Sequence, residues 1–122
     1  MTDTIALTGL KFMAPHGVHD TEKATPQEFL VDIAMNVDTR RAGQTDALAD
    51  TVDYSGVAAM AADVMSGPPR DLIETLAADI AARVLATYLV DAVEVTVHKP
   101  GVDLGIPVTD VAVTIRRSRG DR

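Results

Sequence analysis

Phe29-Leu30-Val31-Asp32-Ile33-Ala34-Met35-Asn36-Val37-Asp38 is the stretch that decides the fold. Phe29, Val31, Ile33, Met35 and Val37 fall on one face, and Asp32, Ala34, Asn36 and Asp38 on the other. Period two sustained over this length is a β-strand with one side in a core and the other in water. A strand with a wet side belongs to an antiparallel sheet, because crossover helices bury both faces of a parallel one.

Toward the N-terminus, Ile5 to Ala14 reads as a second strand, in which Gly9 marks a bulge or kink. Pro15-His16-Gly17 breaks it, and a polar loop runs to about Pro26. Toward the C-terminus, Arg40 to Thr51 is polar and irregular, a loop with a short helical turn. Ser55 to Met65 carries Val57, Met60, Ala61, Val64 and Met65 at helical spacing, and Gly67-Pro68-Pro69 stops that helix. Asp71 reads as the N-cap of the next helix, with Glu74 as its capping-box partner and Leu72, Ile73, Leu76, Ile80, Val84 and Leu85 as its buried face. Two period-two strands close the chain, Ala92 to His98 and Val108 to Arg116.

The order is strand, strand, helix, helix, strand, strand. It predicts one α+β domain over residues 1–122, with an antiparallel sheet and its helices on one face. Such a sheet keeps open edges, and a ring of sheets closing into a barrel across subunits would remove them.

Composition narrows the function. Apolar residues make up 47% of the chain and aromatics only 3%, so the core is aliphatic. Eleven basic against eighteen acidic residues give a net charge of −7. A surface of that sign repels phosphate backbones, so nucleic acid is not an expected partner. Arg116-Arg117-Ser118-Arg119 is the only basic cluster, a solvated tail or a local anion contact, with the tail preferred. The absence of cysteine excludes disulfides, thiolate–metal sites and cysteine nucleophiles. The N-terminus does not read as a signal peptide, and no apolar run is long enough to span a bilayer. A soluble cytoplasmic protein without membrane association is the expectation.

The chemistry concentrates in a few polar residues at the ends of rigid elements. Val95-Thr96-Val97-His98-Lys99-Pro100 is an alternating strand that ends on a lysine followed by proline. Lys99 is either a solvated strand end or a lysine held partly desolvated, whose pKa falls from about 10.4 so that it exchanges protons. Glu74 either caps its helix or offers a carboxylate fork to an amidine-like edge. Tyr54 either covers the start of the first helix or presents a phenol to a ligand. Glu22 is a loop charge or a hydroxyl acceptor at a site rim. His16 reads as a loop histidine making structural hydrogen bonds. His16, His19, Asp20 and Glu22 lack the spacing of a three-ligand set, so no metal is expected.

In order along the chain, these pieces resemble the dihydroneopterin aldolase family of folate biosynthesis. The matching motifs are His16-Gly17-Val18 with Glu22, Asp50 to Tyr54, Leu72 to Ala77, Val95 to Pro100, and the closing Asp110 to Arg117. The resemblance implies the tunnelling fold, a four-stranded antiparallel sheet with two helices on one face, assembled into tetrameric rings that commonly stack as homo-octamers. It implies retro-aldol cleavage of dihydroneopterin to hydroxymethyl-dihydropterin and glycolaldehyde, without metal, cofactor or Schiff base. It also implies roles. Lys99, Tyr54 and Glu22 would be catalytic: Lys99 relays a proton near the ring nitrogen with a bound water, Tyr54 of a neighbouring subunit assists, and Glu22 holds the side-chain hydroxyls. Glu74 would anchor the pterin with main-chain help from Leu72 and Ile73, while Val52 and Val18 line the pocket. Two alternatives accompany this: an epimerase of the phosphorylated substrate, using Arg70 or Arg116 for charge, and a non-catalytic pterin-binding oligomer. After Lys99-Pro100 the chain departs from the family's proline-containing turn, reading Gly101-Val102-Asp103-Leu104-Gly105-Ile106-Pro107-Val108. That departure predicts a looser turn.

Overall fold

The computed structural model describes residues 3–120. Its sheet has four strands in sequential order, each antiparallel to its neighbour: β1 (Asp3–Ala14), β2 (Gln27–Val37), β3 (Ala92–His98) and β4 (Ala112–Ser118). Two long helices, α3 (Tyr54–Met65) and α4 (Ile73–Thr87), lie between β2 and β3 in the chain, after two short ones, α1 (Asp20–Ala24) and α2 (Arg40–Thr45). The ββααββ order and the antiparallel sheet agree with the sequence reading. α1 is an addition inside what reads as an irregular polar loop.

The alternation of β2 does what its pattern demands. Phe29, Val31, Ile33 and Met35 are fully buried, and Val93, Val95 and Val97 of β3 line up beside them. α4 packs against β3 and β4, and α3 against α4 and β1, so both long helices cover this one face. Val57 and Ala61 of α3 and Leu76, Ile80 and Val84 of α4 close the core. Removing one such aliphatic side chain costs about 2–5 kcal/mol in the lost transfer term and the cavity left behind. The opposite face carries Asp32, Asn36, Thr96 and Thr114 and is bare in the single chain.

Gly9 is a true bulge. The β1–β2 register slips between Leu7 and Leu10, Gly9 takes φ 73°, and its N–H donates to Asp32 Oδ1 at 2.7 Å. The extra residue increases the local twist of β1.

Four sequence expectations are corrected. β4 starts at Ala112, opposite His98, and not at Val108; the preceding loop turns at Gly105, where φ is 76° and the N–H donates to Asp103 Oδ1. The Asp71–Glu74 capping box does not form. Leu72 is the N-cap of α4 with no side-chain bond, and Asp71 instead pairs with Lys23 at 2.7 Å. Leu72, placed on the buried face by its spacing, is 47% exposed because it precedes the helix. The basic cluster is not a solvated tail. Arg116 and Arg117 belong to β4, and Arg119 donates to the carbonyls of Val90 and Tyr88. Among the described residues no helix is long and apolar enough to cross a membrane.

Candidate active site

The strand-end lysine meets a carboxylate from far away in the chain. Lys99 Nζ donates to Glu22 Oε2 at 2.5 Å, with the two side chains only 12% and 20% exposed. Glu22 also accepts from the N–H of His19 and from Gln27 Nε2. The Lys99 ammonium, aided by these two donors, holds the Glu22 carboxyl down at about 2, against the opposing effect of burial. Gly17 makes the approach possible: a Cβ there would collide with the Glu22 carboxyl group. Lys99 is therefore not a solvated strand end, and Glu22 is not a free loop charge.

The loop carrying Glu22 is tied to the start of α4. His16 is 1% exposed. Its Nε2 lies 2.7 Å from the carbonyl oxygen of Met65, and its Nδ1 accepts the N–H of Arg70 at 3.0 Å. An Nδ1 that accepts an N–H leaves the proton on Nε2, which donates to Met65. Gly17 returns the contact by donating to the Arg70 carbonyl. Lys23 bridges Asp71 and the carbonyls of Gly17 and Val18. These bonds hold Val18, Glu22 and Lys99 in register with Leu72, Ile73 and Glu74. The structural role expected for His16 is realised.

Glu74 is exposed in the first turn of α4 and makes no hydrogen bond or ion pair among the described residues. Its capping role is gone, which leaves a carboxylate at a helix N-terminus with no partner among the described residues. Exposed Val18 and Leu72 flank this end, and Ile73 is buried beneath it.

Tyr54 and Val52 lie elsewhere. β2 runs from the Glu22 end, where Gln27 bonds Glu22, to Val37, which shares a cleft of about 370 Å³ with Val52, Asp50, Arg41 and Tyr88. From Phe29 to Val37 is roughly 26 Å of strand at about 3.3 Å per residue. Tyr54 begins α3 at that far end, while Met65 closes α3 against His16. Asp53 caps the helix by accepting from Ser55 N–H at 3.1 Å. Tyr54 is 58% exposed and unpartnered among the described residues. The ring over the start of α3 is that of Tyr88, whose hydroxyl sits where a Cβ on Gly56 would be. Val52 is 4% exposed, at the wall of that cleft. One chain thus brings Lys99, Glu22, Val18, Leu72, Ile73 and Glu74 to one end and leaves Val52 and Tyr54 at the other.

Arg70 pairs with Asp79 at 3.3 Å, and Arg116 donates to Asn36 Oδ1 at 2.9 Å. Among the described residues no group of three or more His, Asp or Glu side chains is arranged to hold a metal ion.

A sequential four-stranded antiparallel sheet, with paired helices on one face and polar groups at its ends, is the tunnelling fold. On that fold, this chain sets a lysine–glutamate pair at the same end as a carboxylate that is unpartnered among the described residues. A family model described as FolB, dihydroneopterin aldolase, matches residues 5–116. The dihydroneopterin aldolase of Streptomyces coelicolor is 48% identical over 117 residues, covering 96% of this chain and 98% of that protein. The FolB crystal structure from Vibrio cholerae superposes with a TM-score of 0.91 at 27% identity, covering 98% of this chain and 99% of the other. The Escherichia coli dihydroneopterin aldolase, crystallised in complex with neopterin, gives 0.89 at 28% identity, covering 95% and 99%. The chain belongs to the dihydroneopterin aldolase family.

Proposed function

We propose that this protein is a lyase that cleaves 7,8-dihydroneopterin by a retro-aldol reaction, releasing 6-hydroxymethyl-7,8-dihydropterin and glycolaldehyde. The observation that carries the reading is the Lys99–Glu22 pair, locked beside the unpartnered Glu74 in a chain of this family.

The chemistry needs proton movement and orientation. The hydroxyl on the carbon to be released gives up its proton and becomes the aldehyde. The adjacent C–C bond breaks, and its electron pair passes into the C=N bond of the dihydropterin ring, whose nitrogen takes up a proton. Protonation of the exocyclic carbon and loss of the nitrogen's proton complete the product. One proton has moved from oxygen to carbon, and no redox change has occurred. Lys99 is the relay, kept in place by Glu22. The remaining lone pairs of Glu22 accept from the side-chain hydroxyls. Glu74 anchors the amino and ring N–H donors by a charge-assisted pair of bonds, with the main chain at Leu72 and Ile73 completing the edge. Val18 lines the pocket.

Tyr54 and the main chain at Val52 reach this pocket from a neighbouring copy. Two features support a shared site: the halves lie at opposite ends of one chain, and the sheet keeps β1 and β4 as unpaired edges. Head-to-tail contacts that pair such edges close rings, here a tetramer or two stacked tetramers. The same bond cleavage followed by re-addition to the other face of the aldehyde would epimerise the side chain.

The test is incubation with dihydroneopterin, following pterin product and glycolaldehyde together. Lys99→Ala is expected to lower kcat by about 10²–10⁴-fold while pterin binding persists. Cleavage at a near-normal rate in that variant would remove Lys99 from its role. Binding without glycolaldehyde in the unaltered protein would make it a binding oligomer.

A further inference from the structure

His98, the residue before Lys99, is held between two carboxylates on the bare face of the sheet. Its Nε2 lies 2.7 Å from Asp32 Oδ2, and its Nδ1 2.7 Å from Asp110 Oδ2. Ionised carboxylates only accept, so a ring that bonds one through each nitrogen carries both protons. Asp32 reaches the other way to the Gly9 bulge through Oδ1. Asp110 belongs to the last residues of the loop that leaves Lys99 and returns as β4, and its Oδ1 is buried without a partner. One ring therefore ties β1, β2, the end of β3 and the return of that loop. The main chain repeats the closure one residue on, where Lys99 N–H donates to the Val111 carbonyl at 2.7 Å.

We propose that His98, as an imidazolium clamped by Asp32 and Asp110, is a positioning residue for Lys99. The proposal rests on the role of Lys99 given above. At the base of the 100–111 segment the clamp stands beside the Lys99–Val111 main-chain bond, so ring and backbone together fix where the loop leaves and returns. Without its proton the ring can satisfy only one of the two carboxylates. The other, Asp110 above all, is then left as a partly buried charge, and the loop end beside Lys99 is released.

The proton is held firmly. Asp110 first, then Asp32, push the His98 pKa above its usual 6.5, outweighing partial burial. Other charges on this face are already paired or further off: Lys11 of β1 with Glu28 of β2 at 3.0 Å, and Glu94 opposite Arg116 two rows along the β3–β4 ladder. A raised folded pKa gives a contribution that is complete below the ordinary value of 6.5 and lost as pH rises through the higher folded one.

The experiment measures kcat and KM for dihydroneopterin across neutral and alkaline pH, for the unaltered enzyme and Asp110→Asn, with the His98 ring followed by NMR in both. Removing one close carboxylate should move the alkaline fall of kcat to lower pH by about one unit. The ring's titration should move with it, and KM should hardly change. A third variant, His98→Gln, should have a low kcat lacking this limb. Superimposable profiles for the unaltered enzyme and Asp110→Asn, or a ring titration that does not track kcat, would overturn the proposal. Failure of the underlying reading is seen separately, as retained cleavage in Lys99→Ala.

Discussion

The two ends of the sheet hold their candidate site residues in opposite ways. At the Lys99 end nearly every polar group is spoken for: Lys99 by Glu22, Glu22 by three donors, His16 by two main-chain groups, Lys23 by Asp71. At the far end the framework is tied too, Arg41 and Thr45 to Asp50 and Arg119 to the Val90 and Tyr88 carbonyls, but the candidate site residue there, Tyr54, is exposed and unpartnered among the described residues, and Val52 is buried. Glu74 is the exception at the crowded end, unpartnered amid tied groups. Tied groups set geometry, and free groups await something outside the chain. Substitutions of tied residues should therefore disturb folding as well as catalysis, and substitutions of free ones catalysis alone.

Glu74→Gln gives the larger effect. Losing a charge-assisted bond to the pterin costs about 1.5–3 kcal/mol, a rise in KM of roughly 10–100-fold, with Tm lowered only slightly, because in the fold the Glu74 charge meets just the helix dipole, worth about 0.3–1 kcal/mol. Steady-state kinetics beside a thermal melt would check this. A Tm drop with an unaltered KM would return Glu74 to a structural role.

Glu22 sharpens the contrast from the tied side. Its carboxyl is held at about 2, below the ordinary 4.5, chiefly by Lys99. A lowered folded pKa gives stability that is present above 4.5 and lost as pH falls toward 2. Denaturant titrations down this acid window should show a shallower decline for Glu22→Gln than for the unaltered protein. Parallel curves would mean that the pair contributes nothing to folding.

The sheet and the long helices were legible because burial imposes a period, and a period survives in one dimension. The Gly9 bulge was legible for the same reason, as a break in alternation. What escaped depended on partners distant in the chain. Glu22 and Lys99 are 77 residues apart, and no spacing announces that they touch. Asp71 and Glu74 have capping-box spacing, but Lys23 claims Asp71 first. The apolar pattern of the last strand runs back to Val108, although only Ala112 onward finds a ladder partner in β3. The clamp on His98 draws on Asp32 and Asp110, from two other parts of the chain. Tyr54 was legible as a candidate, but its distance from Lys99 within one chain was not.

A site that uses both Lys99 and Tyr54 would have to draw them from two chains, because that distance separates them within one. The direct measurement mixes Lys99→Ala and Tyr54→Phe chains, both weakly active alone, unfolds them together and refolds them into common oligomers. A site shared between neighbours predicts that about a quarter of the sites in an equal mixture recover both groups, so cleavage rises well above either parent. Activity that stays at the parents' level in mixed oligomers would contradict it.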